Sequence, residues 1–165
     1  MELEALLPSL SRLSLLPHLR DLGIAYAMAF VIGWNREQWG RGAGLRTFPL
    51  VAIAACGFVQ ASENLVQRDP EAMARIVEGV IGGIGFIGGG AILKGNNEVH
   101  GTATAAALWS TGAIGIACGL GAYDVALVIC LFTAVTLYVL GWLKARAEAR
   151  EARVAATMAG EKPRH

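Results

Sequence analysis

The sequence predicts an all-α integral membrane protein of five transmembrane helices, N-terminus outside, C-terminus cytoplasmic, with a glycine-rich packed centre. Three observations predict it: the composition, the length of the uncharged runs, and the distribution of positive charge. Of the 165 residues, 55% are hydrophobic and 16% charged, and the mean hydropathy is +0.50. A soluble domain rarely has this composition. The net charge of +1 hides a segregation, because charged residues crowd into short stretches while long runs carry none. No basic tract suited to nucleic acid stands out.

Taken in order, residues 1–20 form an N-terminal interfacial segment, with Pro8 and Pro17 among Ser and Leu residues and none of the basic start of a signal peptide, so it is expected to stay attached. The five-span domain covers 21–143. Its first two apolar stretches, 22–35 and 47–62, are short for a hydrocarbon core of about 30 Å, a mismatch that tilt and snorkelling arginines accommodate. The third, 72–93, is apolar apart from Arg75 and Glu78, and the fourth and fifth, 101–123 and 125–143, reach spanning length. In lipid every backbone polar group must bond internally, so these segments are predicted as helices. Thr47 before Phe48-Pro49, and Asp69-Pro70-Glu71, read as helix starts. The run from Lys94 to Gly101 is a polar turn, with Thr102 or Thr104 as candidate cap of the next helix. Residues 144–165 form a charged cytoplasmic tail.

Charge sets the orientation. With five spans, ten of the 14 lysines and arginines fall on one side: Arg36, Arg41, Arg46, Lys94 and six in the tail. Positive residues mark the cytoplasmic face, which places the N-terminus outside.

Glycine distinguishes the third and fourth spans. Gly79/Gly83, Gly85/Gly89 and Gly115/Gly119 are each four apart, and Gly112 adds to the fourth. Such stripes let helix backbones approach closely, within the chain or across a homodimer seam. The string Gly83-Ile84-Gly85-Phe86-Ile87-Gly88 matches a dinucleotide fingerprint, but inside an apolar span it lacks the strand and acid that give the fingerprint meaning. Cys56, Cys118 and Cys130 have no paired spacing and read as small packing residues. Trp34, Trp39 and Trp142 suit interfacial belts, while Trp109 reads as a packing residue.

The run VIGWNREQWGRGAGLRTFPLVAIAACG, then GVIGGIGFIGGGAIL, then GTATAAALWSTGAIGIACGLGAY resembles the MgtC/SapB family of bacterial inner-membrane proteins. The resemblance covers residues 23–142 in matching order. It implies a multi-pass inner-membrane protein associated with magnesium homeostasis and a candidate for magnesium transport. The alternative it leaves open is a membrane regulator that binds other membrane complexes through helix packing. Lacking the ACT-like C-terminal domain of some relatives, this chain is expected to be a short form. Many relatives place an acid where this chain has Asn35, and a small or uncharged residue where it has Glu78.

Two candidate sites follow. Arg36, Glu37, Arg46 and Thr47 flank the first cytoplasmic loop, where a carboxylate between two guanidinium groups would form one coupled cluster. The competing reading is that the arginines merely anchor topology. Asn35, Glu78 and Thr104 supply oxygens for a candidate ion pathway, since magnesium takes oxygen ligands and keeps several waters. Capping and bonding back within the helix compete for the threonines. His18, His100 and His165 are scattered, and no catalytic constellation forms, so the chain is not expected to be an enzyme. No resident cofactor or metal site is expected, and magnesium enters as substrate or ligand. The expected partners are the lipid bilayer and a second copy or another membrane protein, with no nucleic acid.

Overall fold

The computed structural model describes residues 15–38, 43–66, 70–95 and 98–158. Its elements are α1 (Leu15–Gln38), α2 (Thr47–Val66), α3 (Pro70–Gly90), a hairpin of β1 (Leu93–Gly95) and β2 (Glu98–His100), α4 (Thr102–Gly119) and α5 (Tyr123–Val135). A π turn at Thr136–Leu140 then carries α5 into α6 (Gly141–Met158) as one rod. The fold is all-helical apart from the hairpin, whose register is Leu93↔His100, Lys94↔Val99 and Gly95↔Glu98.

Three helical stretches are long and apolar enough to cross a membrane: Leu15–Gln38, Glu71–Gly90 and Tyr123–Val154. Thr47–Ser62 is a shorter apolar segment. The 32 residues of Tyr123–Val154 extend about 48 Å at 1.5 Å per residue. A hydrocarbon core is only about 30 Å thick, so the charged end of this rod projects beyond it. The first helix begins at Leu15 rather than near residue 22, so residues 15–20 of the expected interfacial segment are helical and continuous with the first span. The rest of that segment, 1–14, lies outside the described residues, as do Trp39, Arg41, Asp69 and the end of the tail from residue 159.

Helix α4 is the hub, packing against α1, α2, α3 and α5. It buries Thr104, Ala107, Leu108, Thr111, Gly112 and all of 114–119, the behaviour of a helix that is apolar all round. Its start differs from the expectation. Gly101 is the N-cap in left-handed backbone, φ 88°, with no side-chain cap bond; a Cβ there would run into the Ala91 carbonyl. The chain must reverse tightly from the end of α3, and Gly101 meets that need where Thr102 or Thr104 cannot.

The glycines pack in a different arrangement from the one expected. Gly115 lies against the Ala52 carbonyl and Ala55 of α2, and a Cβ on Gly119 would sit 2.7 Å from Val59 Cβ and 2.9 Å from the Cys56 carbonyl. The close backbone approach is therefore between α4 and α2. Helix α3 meets α4 through Ile84, which fills the space over Gly112, and through Gly88, whose added Cβ would lie 3.7 Å from Ala105 Cβ. Gly79, Gly83, Gly85 and Gly89 face open space. Among the described residues they form no seam, because Ile84 is a bulky spacer that keeps the α3 backbone off α4. Cys56, Cys118 and Cys130 are buried and free. Trp109 is half exposed and lines a groove beside α3 instead of packing into the core.

Gly115→Ala should lower the unfolding temperature in detergent, since forcing a methyl against a backbone carbonyl costs about 1–3 kcal/mol. Gly85→Ala should leave it unchanged or raise it slightly, alanine being the better helix former by about 1 kcal/mol. Gly112→Ala should be rescued by Ile84→Val, which removes the clashing Cδ1 methyl. Equal losses at Gly85 and Gly115, or no rescue at Gly112, would contradict this packing.

Candidate functional site

Polar side chains gather at the two ends of the bundle. At the first end, Asp21 of α1 is buried. Its Oδ1 accepts hydrogen bonds from Arg20 Nε at 2.8 Å and from the Tyr123 hydroxyl of α5 at 2.5 Å. Its Oδ2 accepts from Gln60 Nε2 of α2 at 2.9 Å. Arg20 also lies over the Tyr123 ring, 5.4 Å from its centroid. One carboxylate thus ties three helices together, and charge-assisted bonds of this kind are the stronger class.

The same contacts fix how α1 and α5 run. Asp21 meets Tyr123, the Met28 carbonyl lies 3.6 Å from Cys130 Sγ, and the Val31 carbonyl lies 3.5 Å from the Tyr138 hydroxyl. Both residue numbers rise together, so α1 and α5 are parallel.

At the second end the loop into α2 is organised by Glu37. Its Oε2 accepts the Leu45 backbone N–H at 3.0 Å, and the Gly44 carbonyl accepts from the N–H groups of Thr47 and Phe48 at 3.0 and 3.2 Å. The carboxylate lies so close over Gly44 that a Cβ there would collide with it. A side chain at that position would displace the Glu37 carboxylate, so glycine there leaves the carboxylate on the Leu45 amide. The expected Arg36–Glu37–Arg46 cluster has a different geometry. Glu37 bonds a backbone donor, Arg46 is exposed without an ion pair among the described residues, and Arg36 turns inward to 6% exposure. With α1 continuing helically to Gln38, adjacent residues 36 and 37 point about 100° apart, which separates the two charges.

The candidate ion-pathway residues are likewise divided. Asn35 and Thr104 are buried at 2% and 1% exposure, and Asn35 Oδ1 and Thr104 Oγ1 have no hydrogen-bond partner among the described residues. Their neighbours Arg36 and Ala103 line one cavity, which places both near the second end. Glu78 is exposed on α3 and pairs with neither. Thr111 donates to the Ala107 carbonyl at 2.8 Å, bonding back within its own helix. No group of three His, Cys, Asp or Glu side chains able to hold a metal gathers among the described residues.

Two apolar grooves flank α3. One, about 440 Å³, lies against α2 and is lined by residues such as Ala54, Phe58, Gly79 and Gly83. The other, about 300 Å³, lies towards α4 and α5 and is lined by Val77, Ile81, Trp109 and Val125 among others. Along α3 only Ile84 and Gly88 are buried among residues 71–90.

These helices carry a family signature, for residues 22–146 match the model of the MgtC family. The chain belongs to the MgtC family. It is 39% identical over 126 residues to Protein SrpB of Synechococcus elongatus, covering 69% of each chain. Protein MgtC of Salmonella typhimurium is 38% identical over 116 residues, 70% of this chain and 49% of that one. Protein SapB of Bacillus subtilis is 33% identical over 132 residues, 76% of this chain and 57% of its own length. The chain therefore spans about half the length of this MgtC relative. No solved structure matches it. As a member of this family with long apolar helices, it is a membrane protein.

The Asp21 network escaped the sequence reading because Asp21 stood outside the expected first span. A signal was present: Asp21, Ala25, Ala29, Ile32 and Arg36 recur every three or four residues and all are buried, one continuous helix stripe. Asp21→Asn and Tyr123→Phe should each destabilise the protein, and the double variant should fall short of their sum by about 0.5–3 kcal/mol, as for groups in one hydrogen-bond network. Strict additivity in thermal unfolding would show that the two do not interact.

Proposed function

We propose that this MgtC-family protein is a five-span protein of the bacterial inner membrane that serves magnesium homeostasis as a membrane regulator, through packing against helices of other membrane proteins. The N-terminus lies outside and the tail is cytoplasmic, following the charge distribution. The reading assigns no catalysis and no resident cofactor. The observation that carries it is the seating of α3: a narrow seam at Ile84 and Gly88, with apolar grooves on both sides and glycines open to a neighbour. Small residues on an open membrane helix favour close association with another helix, since van der Waals packing is the main attraction available in lipid. A second copy of this chain is one such partner.

Magnesium transport is the second reading, favoured by the carboxylate of Glu78 on a candidate span and by the unpartnered oxygens of Asn35 and Thr104. It is weaker because these oxygens do not converge. Arg36 beside Asn35 also opposes a divalent cation by direct repulsion.

Two measurements separate the readings. Purified protein in liposomes is expected to give no magnesium flux above protein-free vesicles, while bulky substitutions such as Gly83→Leu or Gly85→Leu abolish co-purification of its membrane partner or shift its oligomer size without unfolding it. Flux that Glu78→Ala removes would favour transport and overturn the regulator. For topology, a cysteine introduced near Asp69 should react with an impermeant reagent on intact cells and one near Gly42 should not; the reverse pattern would invert the orientation.

A further inference from the structure

A cavity of about 120 Å³ with charged side chains in its lining opens at the second end of the bundle, apart from the grooves beside α3. Arg36 of α1, Ala103 in the first turn of α4, Leu137 of the π turn, and Gly141, Lys144 and Glu148 of α6 line it. We propose that this cavity binds a phosphate group, carried either by a phospholipid headgroup or by free inorganic phosphate.

Three features converge on that chemistry. Arg36 is more than nine-tenths buried and still lines the cavity. It has partners of its own, but a guanidinium carries five N–H donors in a planar fork suited to tetrahedral oxyanions. Lys144 adds a second cation from an element more than a hundred residues away in sequence. The first turn of α4, which reaches the cavity at Ala103, supplies the third feature: its N-cap Gly101 offers no side-chain hydrogen bond to the first amides. Those N–H groups and the positive end of an 18-residue helix favour an anion.

Size and charge narrow the ligand. A cavity of about 120 Å³ has room for a phosphate group. Glu148 is the one acid in the lining, 3.7 Å from Lys144 Nζ. Both side chains are mostly exposed, and such a pair yields readily to a better-placed anion. The absence of a side chain at Gly141 helps to leave the cavity open. Trp142 follows directly, half exposed and with Arg146 stacked 3.8 Å over its ring. This is the amphipathic character of a headgroup boundary, where a lipid phosphate would lie.

The test uses the full chain in nanodiscs of phosphatidylcholine, whose own phosphate is always present, and in nanodiscs doped with phosphatidic acid, whose phosphate monoester is unencumbered. Thermal unfolding is followed with inorganic phosphate or with chloride at matched ionic strength. A rise in melting temperature with inorganic phosphate but not chloride identifies the free ion. A rise with phosphatidic acid alone identifies the headgroup. In either case Lys144→Gln should weaken the response at least about tenfold in apparent affinity, as expected when one charge-assisted contact is lost, and Arg150→Gln, outside the cavity, should leave it intact. No response to either phosphate source, or equal responses in wild type and Lys144→Gln, would overturn the proposal. Magnesium flux and partner capture do not enter this readout, so it stands or falls separately from the regulator reading.

Discussion

The close approach of α4 to α2 is the contact on which the rest of the structure depends. Gly115 and Gly119 leave no side chain between the α4 backbone and the Ala52 and Cys56 carbonyls. With α2 seated there, α4 is enclosed also by α1, α3 and α5. In lipid the apolar faces gain little by leaving the surrounding acyl chains, so tight van der Waals contact has to supply the attraction. Small residues achieve it here: Ala25 and Ala29 of α1, Ala52, Ala55 and Cys56 of α2, and Ala117 and Cys118 of α4 are all buried.

Packing of small residues determines closeness but discriminates poorly between registers, and the polar ends add that discrimination. Asp21 fixes α1, α2 and α5 relative to one another at the first end through directional bonds. At the other end Glu37 closes the turn into α2 against Gly44. The two carboxylates thus act as register pins, and the apolar middle is left to glycine, alanine and cysteine. Helix α3 takes part in neither carboxylate network. Of its residues 71–90 only Ile84 and Gly88 are fully buried, with Met73, Val77 and Val80 partly buried against the core, which makes it the element most available to an outside helix.

Much of this was legible in the sequence. Long uncharged runs announced the helices, Pro70 marked the start of α3, and the combined motifs around Arg36-Glu37, Gly44-Leu45-Arg46-Thr47 and the glycine core pointed to the family to which the chain belongs. The partners of each glycine stripe were not legible, because a stripe states that something approaches closely and not what does. Gly115 and Gly119 found α2, whereas the stripe of α3 met no helix among the described residues. The Asp21 network was hidden because an acid near a span boundary reads as solvated until Gln60 and Tyr123, distant in sequence, are brought beside it. Arg36 and Glu37, adjacent in the chain, read as a pair, but helical geometry sends one inward and the other to the loop.

The central claim is that α3 makes its close approach to α4 at Ile84 and Gly88, with the Gly79, Gly83, Gly85 and Gly89 faces left open. Gly88 and Ala105 would bring Cβ atoms to 3.7 Å, close to the mean of about 3.8 Å found in disulfides. With Cys56, Cys118 and Cys130 replaced by alanine, the pair Gly88→Cys and Ala105→Cys should therefore cross-link under mild oxidation, whereas Gly85→Cys paired with Ala105→Cys should remain reduced. Cross-linking of the Gly85 pair, or failure of the Gly88 pair in folded protein, would contradict the account.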